Sequence, residues 1–92
     1  MASRVHDETS FLGFLHTMAL DRQAAEQAET EHPSPPYGPD ARGWENTSIA
    51  AFLGAANEWG IISRDGLPMG YNVPENPWTR CAQILAMGKI YE

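Results

Sequence analysis

The chain contains one cysteine, Cys81. A lone cysteine forms no internal disulfide, which excludes the framework that holds most small secreted domains together. No run approaches 18 apolar residues, so no membrane-spanning helix is expected. The opening Met1-Ala2-Ser3-Arg4-Val5-His6-Asp7-Glu8 lacks the apolar segment of a signal peptide. A cytoplasmic protein without membrane contact is therefore expected. Basic residues are also scarce: 6 Lys and Arg stand against 12 Asp and Glu, for a net charge of −6. That balance excludes the clustered cations that nonspecific nucleic-acid binding needs, and it suits a basic protein partner. Metal-binding spacings are missing too. His6, His16 and His32 form no His-Glu-x-x-His, and no Cys-x-x-Cys exists, so neither a metal nor a cofactor is expected.

What is present is a set of helix signals. Ninety-two residues make one domain, 1–92. Asp7 or Thr9 opens a first helix over about 8–29, with Phe11, Phe14, Leu15 and Met18 at helical spacing and Leu12 and Ala19 widening the stripe. Prolines 33, 35, 36 and 39 make 30–43 a linker, either mobile or packed through Tyr37. Asn46 or Thr47 caps a second helix over about 47–59, where Ile49, Phe52, Leu53, Ala56 and Trp59 share a stripe and Gly60 reads as the stop. Ile61-Ile62 reads as a short strand without a partner, and Arg64-Asp65-Gly66 and Met69-Gly70 read as turns. Asn76-Pro77 opens a third helix over about 77–90. The expected fold is all-α: three helices, a proline-rich linker between the first two, and a core of Trp44, Trp59, Trp78, Phe11, Phe14 and Phe52. The contact between helices two and three, centred on Phe52, Trp59, Trp78 and Leu85, should be the firmest part.

A pattern runs through these elements: Trp44-Glu45-Asn46, Ile49, Phe52-Leu53, Ala56, Trp59, Val73-Pro74-Glu75-Asn76-Pro77-Trp78, Ile84-Leu85 and Lys89-Ile90-Tyr91-Glu92. It resembles a family of small, functionally uncharacterised bacterial domains that share these Trp-x-Asn, Phe-Leu, Trp, Pro-Glu-Asn and Ile-Tyr-Glu landmarks. Val5, Phe11, Phe14 and Leu15 fit that family's opening helix. Two stretches depart from it: the family has a short charged connection in place of 30–43, and an acidic-aromatic segment in place of 61–68. The resemblance implies an α-helical fold. It supplies no activity and no site residues.

Candidate chemistry is thin. Cys81 sits mid-pattern on a helix, where packing is the simpler role. Ser10, Ser48 and Ser63 lack a nucleophile-elbow context, and Gly66-Leu67-Pro68-Met69-Gly70 lacks the Lys-Ser/Thr of a phosphate loop. No enzymatic activity is expected. The sharper signal is a band of acids: Asp21, Glu26, Glu29, Glu31, Asp40 and Glu45, with Tyr37 among them as an aromatic anchor. These seven are the expected partner-binding residues. Such a surface suits a non-enzymatic inhibitor that blocks a basic nucleic-acid-binding site on a bacterial defence complex, similar in size and charge to anti-CRISPR proteins and other acidic DNA mimics. Two alternatives stay open: an immunity-type protein that neutralises a toxin enzyme, and a small ligand-binding domain or enzyme.

Overall fold

The computed structural model describes residues 2–65 and 70–91. Among them are three α-helices and no strand: α1 (Glu8–Glu31), α2 (Ile49–Ser63) and α3 (Pro77–Ile90). Two 3₁₀ turns, Ala2–Arg4 and Ala41–Gly43, precede α1 and α2. The all-α expectation holds.

Each helix starts on a side chain that satisfies its free amides. At α1, Asp7 and Ser10 form a reciprocal capping box. The Ser10 amide donates to Asp7 Oδ1 at 2.8 Å, and the Asp7 amide donates to Ser10 Oγ at 3.1 Å. The Ser10 hydroxyl holds the Asp7 carboxyl below its ordinary pKa. At α3, Asn76 Oδ1 accepts from Trp78 at 2.9 Å, with Pro77 at the first position as expected. At α2 the cap is Ser48, which accepts from Ala51 at 3.0 Å, rather than Asn46 or Thr47.

Asn46 has a different task. Its Nδ2 donates to the carbonyls of Gly88 and Tyr91 at 2.9 and 2.8 Å, while the Glu45 and Asn46 amides both donate to Lys89 O. The Trp-x-Asn string thus closes the C-terminal end of α3, where helix carbonyls otherwise lack partners. Gly60 also departs from expectation. It lies inside α2, and the helix continues through Ile61 and Ile62 to Ser63, so no short strand forms there. Two polar contacts carry the extension: Ser63 Oγ donates to Trp59 O at 2.6 Å, and Arg80 Nη2 donates to Gly60 O at 2.9 Å. The turns read over 66–69 lie outside the described residues.

Helices α2 and α3 form the main seam. Ala55, Ala56, Trp59, Ala82 and Gly88 are buried along it. The approach is closest at Gly88, where a Cβ would lie 2.9 Å from the Phe52 carbonyl oxygen and 3.1 Å from Ala56 Cβ. Arg80 bridges the far end. Its guanidinium lies 5.2 Å from the Trp59 ring centre and donates to Ser63 Oγ and Tyr71 Oη. Trp78 departs from its expected place at this seam. It is half-buried against α1, its ring 5.4 Å from Phe11. Phe11, Phe14 and Phe52 are likewise half-buried, so small residues rather than large aromatics make up much of the buried core. Cys81, expected in packing, is exposed.

Helix α1 joins this pair near its start and again at Asp21, midway along it. Near its start, Asn76 Nδ2 donates to His6 O at 2.8 Å, the Thr79 hydroxyl donates to Val5 O, and Val5 is buried. The linker then folds back on α1 through a turn closed by Gly38 N and Pro35 O.

Candidate interaction surface

The acids singled out in the sequence split into three groups. Asp21 is at the centre of the first. Lys89 Nζ and Trp44 Nε1 donate to its Oδ2 at 2.8 and 2.9 Å, and Arg42 Nε donates to Oδ1. Lys89 first, with Arg42 and Trp44, lowers the Asp21 pKa to about 2 against some opposing burial. Arg22 lies one residue on. It pairs with Asp40 at 3.2 Å and with Glu26 at 3.3 Å. Two cations lie over the Trp44 ring, the Arg22 guanidinium at 5.4 Å and the Lys89 ammonium at 5.2 Å from its centre. Three carboxylates and three cations thus neutralise one another around a buried indole.

Glu29 is used by the linker. It accepts from the amides of Ser34 and Ala41 at 2.8 and 2.7 Å and from the Ser34 hydroxyl. Those bonds, Ser34's foremost, hold its carboxyl below the ordinary value. The linker is therefore anchored by Glu29 and Asp40 rather than by Tyr37, which is fully exposed. Glu31 and Glu45 are exposed as well. The structure brings Asp21, Glu26 and Asp40 together, uses Glu29 internally, and leaves Glu31, Tyr37 and Glu45 at the surface.

A further surface was missed by reading charge alone. Between α1 and the start of α2 runs an open apolar groove of about 320 Å³. Leu15, Met18, Ala19, Trp44, Phe52 and Leu85 line it, with Ile49 at its edge and Arg22, Glu26 and Thr47 among its polar members. Ile49 is 80% exposed; Leu12 and Leu53, each 55% exposed, lie on the same two helices outside the groove's lining. The sequence carried a signal for it. Leu12, Leu15 and Ala19 lie off the Phe11–Phe14–Met18 stripe, and one helix has more apolar positions than one contact can cover. A second cleft, on the other side of α1, is lined by Phe14, Leu20 and Ala86 together with the self-paired Asp21, Arg42 and Lys89.

Among the described residues, no three His, Cys, Asp or Glu side chains come together in a way that would hold a metal ion. His16 and His32 are exposed and apart from Cys81 in the chain. No helix among the described residues is long and apolar enough to cross a membrane. Comparison of the chain with protein-family models, curated proteins and solved structures gives no match.

Proposed function

We propose that this chain is a non-enzymatic interaction protein that docks on a basic, nucleic-acid-binding protein and obstructs its nucleic-acid site, as an acidic inhibitor of a bacterial defence complex does. One observation carries the reading. The Asp21, Glu26, Asp40, Arg22, Arg42 and Lys89 cluster is neutral within itself, so the net charge of −6 is carried by the rest of the chain. Three of the six basic residues are thereby matched to carboxylates within the cluster. A surface of that sign steers association toward Lys- and Arg-rich partners.

The same pairing favours charge-steered docking over a strand of phosphates copied one for one. Row-for-row mimicry needs the linker acid Asp40 together with Glu29, and both are already engaged. The exposed carboxylates of Glu8 and Glu31 lie at the two ends of α1, outside that cluster.

The test is capture of the partner from lysate at low and high salt, followed by measurement of nucleic-acid binding by that partner. Expected is a Lys/Arg-rich protein whose capture weakens steeply with salt and whose nucleic-acid binding is blocked. Replacing the exposed Glu8, Glu31 and Glu58 with Gln should weaken both effects at unchanged Tm. Glu29 is left intact because it holds the linker. Binding indifferent to salt and to the triple substitution would sink the proposal.

A further inference from the structure

We infer that Arg64 and Arg80 hold a small aliphatic carboxylate in a hollow over Gly60, at the edge of the α2–α3 seam, with Ile61 and Ile84 against its stem. This site is independent of the acidic surface proposed above.

Unbalanced charge is the first support. Arg22, Arg42 and Lys89 are matched within the Asp21 cluster. Of the other basic residues, Arg64 and Arg80 line one open hollow of about 250 Å³, with Asn57 beside them and no carboxylate in its wall. Among the described residues, neither arginine forms an ion pair. Glu58, the one acid of α2, falls on the opposite side of the helix from Gly60 by helical spacing. Two guanidiniums that share a hollow without a counter-charge repel each other, and an anion between them removes that cost. Arg80 is already fixed for the task. Its Nη1 donates to Ser63 Oγ at 2.9 Å and to Tyr71 Oη at 3.2 Å, and its Nη2 donates to Gly60 O at 2.9 Å. These contacts leave the Nε hydrogen and one on Nη2 without a partner among the described residues. Such donors belong to the planar fork that matches the two oxygens of a carboxylate.

Gly60 is the second support. Glycine inside a helix is less favourable than alanine. Packing does not ask for it here, because a Cβ at Gly60 would meet Ile84 at 3.6 Å, ordinary contact. At Gly88 the same addition would lie 2.9 Å from the Phe52 carbonyl oxygen. Gly60 and Ile84 both line the hollow, so an added methyl would take up its space. Arg64 follows one turn later with helical φ and ψ, and it therefore falls on the same face of α2 as Gly60. The missing side chain thus opens room beneath one arginine and beside another. The apolar Ile61 and Ile84 form its remaining walls, which suits an aliphatic stem better than a free phosphate.

The probe is isovalerate titrated into the full chain at fixed ionic strength, followed by backbone amide and arginine Nε cross-peaks. Inorganic phosphate and the neutral isoamyl alcohol are titrated beside it. Expected shifts centre on 57–64 and on Arg80 Nε, with isovalerate binding more tightly than phosphate and the alcohol giving none of them. Arg64→Gln should weaken binding by about fivefold, as loss of an exposed charge pair does, at unchanged Tm. Gly60→Ala should raise Tm while removing the isovalerate shifts, a combination that a glycine with only a structural role would not give. Arg4→Gln, at an exposed arginine elsewhere, should leave binding unchanged. Absent or misplaced isovalerate shifts, or binding indifferent to Arg64→Gln or to Gly60→Ala, would overturn the site. Equal loss on Arg4→Gln, or equal shifts with the alcohol, would overturn the role of the two guanidiniums. Tighter binding of phosphate at the same residues would overturn the aliphatic carboxylate.

Discussion

The α2–α3 seam and the attachment of α1 are built from different physics. At the seam, alanines and Gly88 let two helices meet backbone to side chain, and stabilisation comes from close packing around Trp59. Along the C-terminal half of α1, attachment comes from ion pairs and hydrogen bonds about Trp44 and from Glu29 on the linker, and the sides of the helix are left as open clefts. Packing tolerates changes of pH and salt. Ion pairs near a surface respond to both. The contrast teaches that acids in an acidic protein are not automatically a binding face: here several of them attach a helix.

The seam should respond most strongly to added bulk. Gly88→Val sets a branched side chain against the Phe52 carbonyl and is expected to cost about 3 kcal/mol or to prevent folding, read by urea unfolding. Gly60→Ala is its counterpart. There a Cβ meets Ile84 at 3.6 Å, ordinary contact, so helix propensity should add up to about 1 kcal/mol. Equal responses at the two glycines would remove close packing as the distinguishing feature of the seam.

Next comes Asp21→Asn. It leaves Lys89 and Arg42 without their carboxylate and should cost about 2 kcal/mol by thermal or urea unfolding. The pH dependence follows from the same group. Folding takes its pKa from the ordinary aspartate value of about 3.9 down to about 2. Its contribution is complete above that ordinary value and is lost as pH falls through about 2. The lowered pKa values of Asp7 and Glu29 act in the same direction. Amide exchange in α1 should therefore accelerate on acidification before exchange in α2 and α3 does. Asp21→Asn should lack most of that acid step. Simultaneous loss of protection in all three helices would erase the difference between the regions.

Smaller effects sharpen the contrast. Glu29→Gln should speed exchange at the Ser34 and Ala41 amides while leaving the seam unchanged. Smallest of all, Cys81→Ser on the exposed side of α3 should stay within about 0.5 kcal/mol, and a thiol reagent should label Cys81 in the folded protein. Protection of that thiol until unfolding would return it to the packed role its sequence position suggests.

Local signals were legible where the physics is local. Asn76-Pro77 marks the start of α3 because a capping side chain and a missing N–H act within one turn. Asp7 reads correctly as the cap of α1 for the same reason. Asn46 and Gly60 were misread for the opposite one. Asn46 has cap chemistry, but its amide serves carbonyls at the far end of the chain, at Gly88 and Tyr91. Gly60 has stop chemistry, but Arg80 reaches over from α3 to hold its carbonyl inside a continuing helix. The acids show the same division: composition gives their number, and nothing local tells that Asp21 meets Lys89 or that Glu29 meets Ala41.

By itself the sequence determined an all-α chain with three helices, their N-terminal caps within a few residues, and a net negative charge, because propensity, capping and charge are properties of a residue and its near neighbours. Tertiary structure alone decided which acids became internal ion pairs, which aromatics became half-buried, and that an apolar groove opens between α1 and α2. Those outcomes depend on groups tens of residues apart in the chain, and only packing sets the distances between them.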